Sequence, residues 1–177
     1  MRKSTALAAL VGMMVAGAVL SASPAEAATL VPFAATYQEQ VLFVPCPPGT
    51  PPTTVCVHVH GLGEATHLGK STEVDNAASV DFSTAPCGTV RTPLVTLVAA
   101  NDDAVTAEAL GTVCFTNVPG QNILNGTYTV TGGTGRFAGA RGGGTFHGVS
   151  QIDLSCFCRA TTTFTFKGTL SSPGSNK

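Results

Sequence analysis

The chain has 177 residues, of which only 11% are charged, and it contains 20 Gly and no Trp. A net charge of −1 with no basic stripe argues against a nucleic-acid partner. The abundance of Thr, Gly and Val fits an all-β protein with many turns, and the length allows one domain with its own core.

Residues 1–27 read as a secretory signal peptide. Arg2 and Lys3 form a charged start, Ala6 to Leu20 an apolar run, and Ala25-Glu26-Ala27 a small-x-small cleavage site. The run is shorter than the roughly 20 apolar residues of a membrane span. Cleavage is expected after Ala27. No cysteine lies near that site, so a lipid anchor is not expected. The remaining 28–177 form the expected single domain, with seven Lys and Arg against nine Asp and Glu and no further run able to span a membrane. The protein is therefore expected to be secreted and extracellular.

Strand candidates follow in order. Phe33 to Val44 is the first, ended by prolines 45, 47, 48, 51 and 52. Val55 to Leu62 alternates, with Val55, Val57 and Val59 on one face and Cys56, His58 and His60 on the other. Ala65 to Phe82 holds a third strand, interrupted around Asp75-Asn76. Val90 to Ala100, Ala104 to Thr116 and Gly126 to Thr131 come next, then Gly144 to Leu154 and Phe157 to Leu170. In the last, Thr162, Phe164 and Phe166 share a face. Asn101-Asp102-Asp103 reads as a turn, and the tail SSPGSNK as disordered. Eight strands without sustained helical periodicity predict a single antiparallel barrel or a sandwich. Closure into an eight-stranded, calycin-like β-barrel would remove exposed edges.

Six cysteines in an exported chain predict disulfides: Cys46, Cys56, Cys87, Cys114, Cys156 and Cys158. Cys46–Cys56 would close the proline loop, and Cys87–Cys114 is a second pairing. Cys156 and Cys158 are placed at i and i+2 of a strand, facing one way, so at least one is expected to reach another strand.

Gly132 to Gly144 is the most unusual stretch, with seven glycines in thirteen residues between two strands. It reads as a confined turn with Phe137 plugging the end of a core. Its residues Gly132, Gly133, Thr134, Gly135, Phe137, Ala140, Arg141 and Gly142 match the GGTGxFxxARG pattern of plant dirigent proteins. Gly139 adds the match to the looser GGxGxFxGAxG of allene oxide cyclases. The chain thus resembles the allene oxide cyclase and dirigent superfamily, and THLGKST at Thr66 to Thr72 resembles its secreted bacterial members. The resemblance implies an eight-stranded barrel. It also implies a small hydrophobic ligand and cofactor-free cyclisation or stereoselective coupling, and it allows a homo-oligomer. No catalytic residue carries over by motif.

Candidate chemistry is sparse. Glu39 shares parity with Tyr37, Val41 and Phe43 on the first strand. Pointing inward, these would line a ligand cavity, and Glu39 would have a raised pKa and serve as a base. The other reading is an outward surface Glu. His58, His60 and Glu64 share parity as a metal candidate, with His147 as a further imidazole. Against it, Gly61 and Gly63 break the strand, and the alternative is histidines facing water; no metal or cofactor is expected. Arg141 is expected to brace the glycine turn through carbonyls. Asn125-Gly126-Thr127 reads either as a glycosylation sequon or as a hairpin turn. GEATHLGKST has one residue too many for a phosphate loop, and the GxGxxA from Gly133, with Asp153 downstream, lacks the following helix of a dinucleotide site. Adjacent Asp102 and Asp103 point apart, and no serine has a nucleophile-elbow context. The alternative to a ligand barrel is an extracellular structural or interaction module filled by its own side chains.

Overall fold

The computed structural model describes residues 29–84 and 86–171. The expected signal peptide and the end of the tail lie outside them. Eight strands, β1 (Leu30–Val44), β2 (Thr54–Ala65), β3 (Gly69–Asp81), β4 (Cys87–Ala99), β5 (Ala104–Phe115), β6 (Gln121–Gly133), β7 (Gly142–Ile152) and β8 (Arg159–Ser171), close into one antiparallel barrel in sequence order. β8 returns to β1 over a register from Leu30↔Ser171 to Leu42↔Arg159, so no edge is left open among the described strands.

Alternation builds the interior. Along β1, Phe33, Ala35, Tyr37 and Glu39 are buried while their neighbours face out. β3 is continuous where an interruption was expected, yet it is irregular there. Three residue steps from Asp75 to Ala78 oppose two from Val59 to Val57 on β2, which is a β-bulge. β6 begins five residues before the expected Gly126. Asn125-Gly126 is therefore mid-strand and not a hairpin turn, because Asn125 pairs with Thr112 and His147 on the flanking strands.

The barrel has two unlike ends. The β2–β3, β4–β5 and β6–β7 connections lie at one end, here called the plug end. The β1–β2, β3–β4, β5–β6 and β7–β8 connections lie at the other, the mouth. The glycine stretch forms the β6–β7 connection through a 3-10 turn at Gly135–Phe137, with Phe137 1% exposed inside the core. Gly135 and Gly139 sit at φ 56° and 72°, where a Cβ is disfavoured, and the Asp103 carboxylate occupies the space a Gly135 side chain would need. Thr134 fixes the turn to β5: its Oγ1 accepts from Ala104 N at 2.9 Å. The bracing guanidinium is Arg136, not Arg141. Arg136 donates to the His67 carbonyl at 3.0 Å and lies 3.7 Å from Asp103, whereas exposed Arg141 is held through its backbone by Ser171.

All six cysteines are paired, and all three disulfides are at the mouth. Cys46–Cys56 and Cys87–Cys114 form as expected. Cys156 bonds Cys158, contrary to expectation. The two lie in the β7–β8 turn and not on a strand, so the parity argument that kept them apart does not apply. Phe157 between them adopts φ 51°, and both Cys156 and Phe157 donate backbone N–H to the Asp153 carbonyl.

Candidate functional site: an acid-floored cavity

The plug half is filled by edge-packed aromatic rings. Phe33 meets Tyr128 at 6.3 Å, Tyr128 meets Phe166 at 5.3 Å, and Tyr37 meets Phe166 at 6.3 Å between centroids. Above this stack many of the inward positions become Val and Ala. The result is a cavity of about 340 Å³, within the usual range for small-molecule sites. Phe146, Phe164 and Phe166 form its floor, Val57, Val90 and Val113 its walls, and Phe82, Phe115 and Phe157 its rim. Phe115 and Phe157 are more than half exposed, and Phe82 stacks on Phe115 at 5.6 Å.

One polar row crosses this apolar space. Strand register aligns Asn122, Ser150, Thr162, Glu39, Gly61 and Glu73 across six neighbouring strands, from β6 round to β3. All six are buried. Gly61 makes the acidic part sterically feasible. A Cβ there would lie 3.1 Å from Glu39 Cγ and 3.2 Å from Glu73 Cβ, so a side chain would push the two stems apart. Asp75 joins them from the β3 bulge, where its Oδ1 accepts from Ala77 N at 2.9 Å and its carboxylate accepts from the Thr92 hydroxyl.

Three carboxyls in this setting have pKa values pushed up, first by burial. Glu39 lies well above the usual carboxylate range, through burial and then the neighbouring charge of Glu73. Glu73 is raised to about 7 by burial, partly offset by its hydrogen bond from Glu39. Asp75 is raised less because the bulge N–H groups and Thr92 stabilise its charge. Glu39 and Glu73 are close neighbours, so they titrate as an interacting pair. No donor reaches the buried Oε2 of Glu73. Tyr37 is fully buried just below, its hydroxyl 2.7 Å from Ser71 Oγ, and burial raises it to about 12.

Of the three residues expected to line a cavity, Glu39 and Val41 do so, while Tyr37 belongs to the packed floor beneath. His58, His60, Glu64 and His147 are exposed on the outer face. His147 Nδ1 lies 2.8 Å from Asn125 Oδ1. Among the described residues no three His, Cys, Asp or Glu side chains are placed to hold a metal ion. Glu73 and Asp75 were not anticipated. Their strand inverts the usual pattern, with Val74 on the outer side and two acids inside. The available signal was their shared parity with Ser71, together with a glycine facing them at position 61.

No family profile matches the chain, and no curated protein sequence matches it. Among solved structures it is similar to a pterocarpan synthase dirigent protein, with a TM-score of 0.45 and 10% identity over 84% of this chain and 90% of that one. At that distance the likeness says nothing about activity.

Proposed function

We propose that this is an extracellular barrel that binds one small hydrophobic molecule at its mouth and guides its cyclisation or coupling without a cofactor. The observation that carries this reading is an apolar cavity whose polar lining includes two buried neighbouring carboxyls, Glu39 and Glu73. The walls exclude water and fix the ligand's shape, which lowers the entropic barrier to an intramolecular step. The Glu39–Glu73 pair can give a proton to, or take one from, a ligand oxygen at neutral pH, the condition under which an acid–base group works best. Export is supported by the apolar segment at Ala6 to Leu20 and by three disulfides, which persist in oxidising compartments. The filled-barrel alternative describes the plug half and leaves the mouth half without an account.

Native mass spectrometry of protein purified from its secretion medium tests the reading. A bound apolar molecule at one per chain is expected, with turnover of that molecule lost in Glu39→Gln and its binding retained. Failure to retain any molecule, or to take one up from a panel of lipids and phenols, would overturn it.

A further inference from the structure

The lining of the cavity is chemically one-sided. Glu39, Glu73 and Asp75 reach it from β1 and β3, and no Lys, Arg or His lines it among the described residues. The remaining polar groups, Thr92, Asn122, Ser150 and Thr162, are neutral. Glu73 is 4% exposed and its Oε2 has no hydrogen-bond donor. A carboxylate buried among Val, Ala and Phe without a counter-charge is a costly arrangement.

We infer that the ligand is an amphipathic monocation, an apolar body carrying one protonated amine that is seated against Glu73 and Glu39. This rests on the reading of the cavity as a ligand site and adds the ligand's class. Charge and geometry both select it. Three acidic side chains and no basic one line the cavity, and an ammonium brings the opposite charge to them. An N–H of that ammonium supplies the donor missing at Glu73 Oε2, and its other N–H groups reach Glu39 and the row of hydroxyls at Thr162 and Ser150. A neutral alcohol would satisfy the oxygen but leave the charge uncompensated. An acid would add a further negative charge to the same space. Among the described residues no three His, Cys, Asp or Glu side chains are grouped to hold a divalent metal. The Val and Phe walls above the row take the apolar body, and the exposed rim aromatics at the mouth offer its entry.

The test uses one carbon skeleton with three head groups: 4-phenylbutylamine, 4-phenylbutan-1-ol and 4-phenylbutyric acid. Each is titrated calorimetrically into the disulfide-intact protein at about pH 8, where the amine is still protonated. The amine is expected to bind about tenfold or more tighter than the alcohol, with the acid weakest. In Glu73→Gln the amine's advantage is expected to disappear while alcohol binding stays. Alcohol binding as tight as amine binding would overturn the inference and leave the cavity reading standing, as would an amine preference that survives Glu73→Gln. Binding of none of the three would overturn both.

Discussion

The two halves of one barrel are built from the same strands and the same alternation, yet they do opposite things. At the plug end, inward positions hold Phe33, Tyr37, Tyr128, Phe137 and Phe166, and the space is full. At the mouth, the same strands place Val41, Val57, Val80 and Val113 inward, and the space is open. Eight strands set a diameter that large side chains fill and small ones do not, so the smaller residues in the middle of the mouth half leave the cavity open beneath the rim aromatics. The means of holding each half together differ accordingly. Packing and the clasped glycine turn hold the plug, and three disulfides hold the mouth, where the hollow interior contributes less. The acidic row lies between them, where a dry floor meets an open chamber.

This contrast breaks most readily at the plug. Phe166→Ala removes a ring that touches three others and should cost about 4 kcal/mol in urea unfolding. Val80→Ala, at the cavity wall, should cost about 1 kcal/mol because its side chain already borders empty space. Equal costs would erase the distinction between the halves. Next in size is the mouth's covalent brace. Replacing Cys87 and Cys114 together with Ala opens a link of sequence separation 27 and should cost roughly 3 kcal/mol, a fall of about 10 °C in Tm.

A smaller effect follows from the acids. Their folded pKa values are raised, so the folded state keeps protons that the unfolded chain loses above about pH 4.3. Stability is therefore full on the acid side and declines as pH rises through the Glu73 value of about 7. The Tm should fall between pH 5 and pH 8, and Glu73→Gln should flatten that fall. Asp81 and Asp153 have lowered values, through hydrogen bonds from Thr53 and Ser83 and from Ser155 and Arg159, and act in the opposite sense at lower pH, outside this window. The smallest change is Gly61→Ala, about 1 kcal/mol from crowding the two acidic stems. Its signature is a weakened pH dependence, which a simple strand defect would not produce.

Much of the architecture was legible in the residues. Alternation located eight strands, turn residues separated them, and the glycine run marked the connection that Phe137 plugs. Two cysteine pairs followed from the loops they close. The Cys156–Cys158 link did not, because strand parity was applied to a turn. In the site, the parity of Glu39 with Tyr37 and Val41 pointed inward correctly. Glu73 and Asp75 were hidden because acids at alternate positions of a strand ordinarily face water, and Val74 between them looks like the buried residue. Only the barrel's register, which sets Glu39, Gly61 and Glu73 in one row, brings the acids together.

The most direct test of the central claim, that the mouth half is a dry, open chamber and the plug half is not, is a crystal pressurised with xenon. Apolar cavities of this size take up xenon, whereas packed cores do not. The account predicts xenon among Val57, Val90 and Val113, on the mouth side of the acidic row, and none among Phe33, Tyr128 and Phe166. No xenon at the mouth, or equal occupancy in both halves, would contradict it.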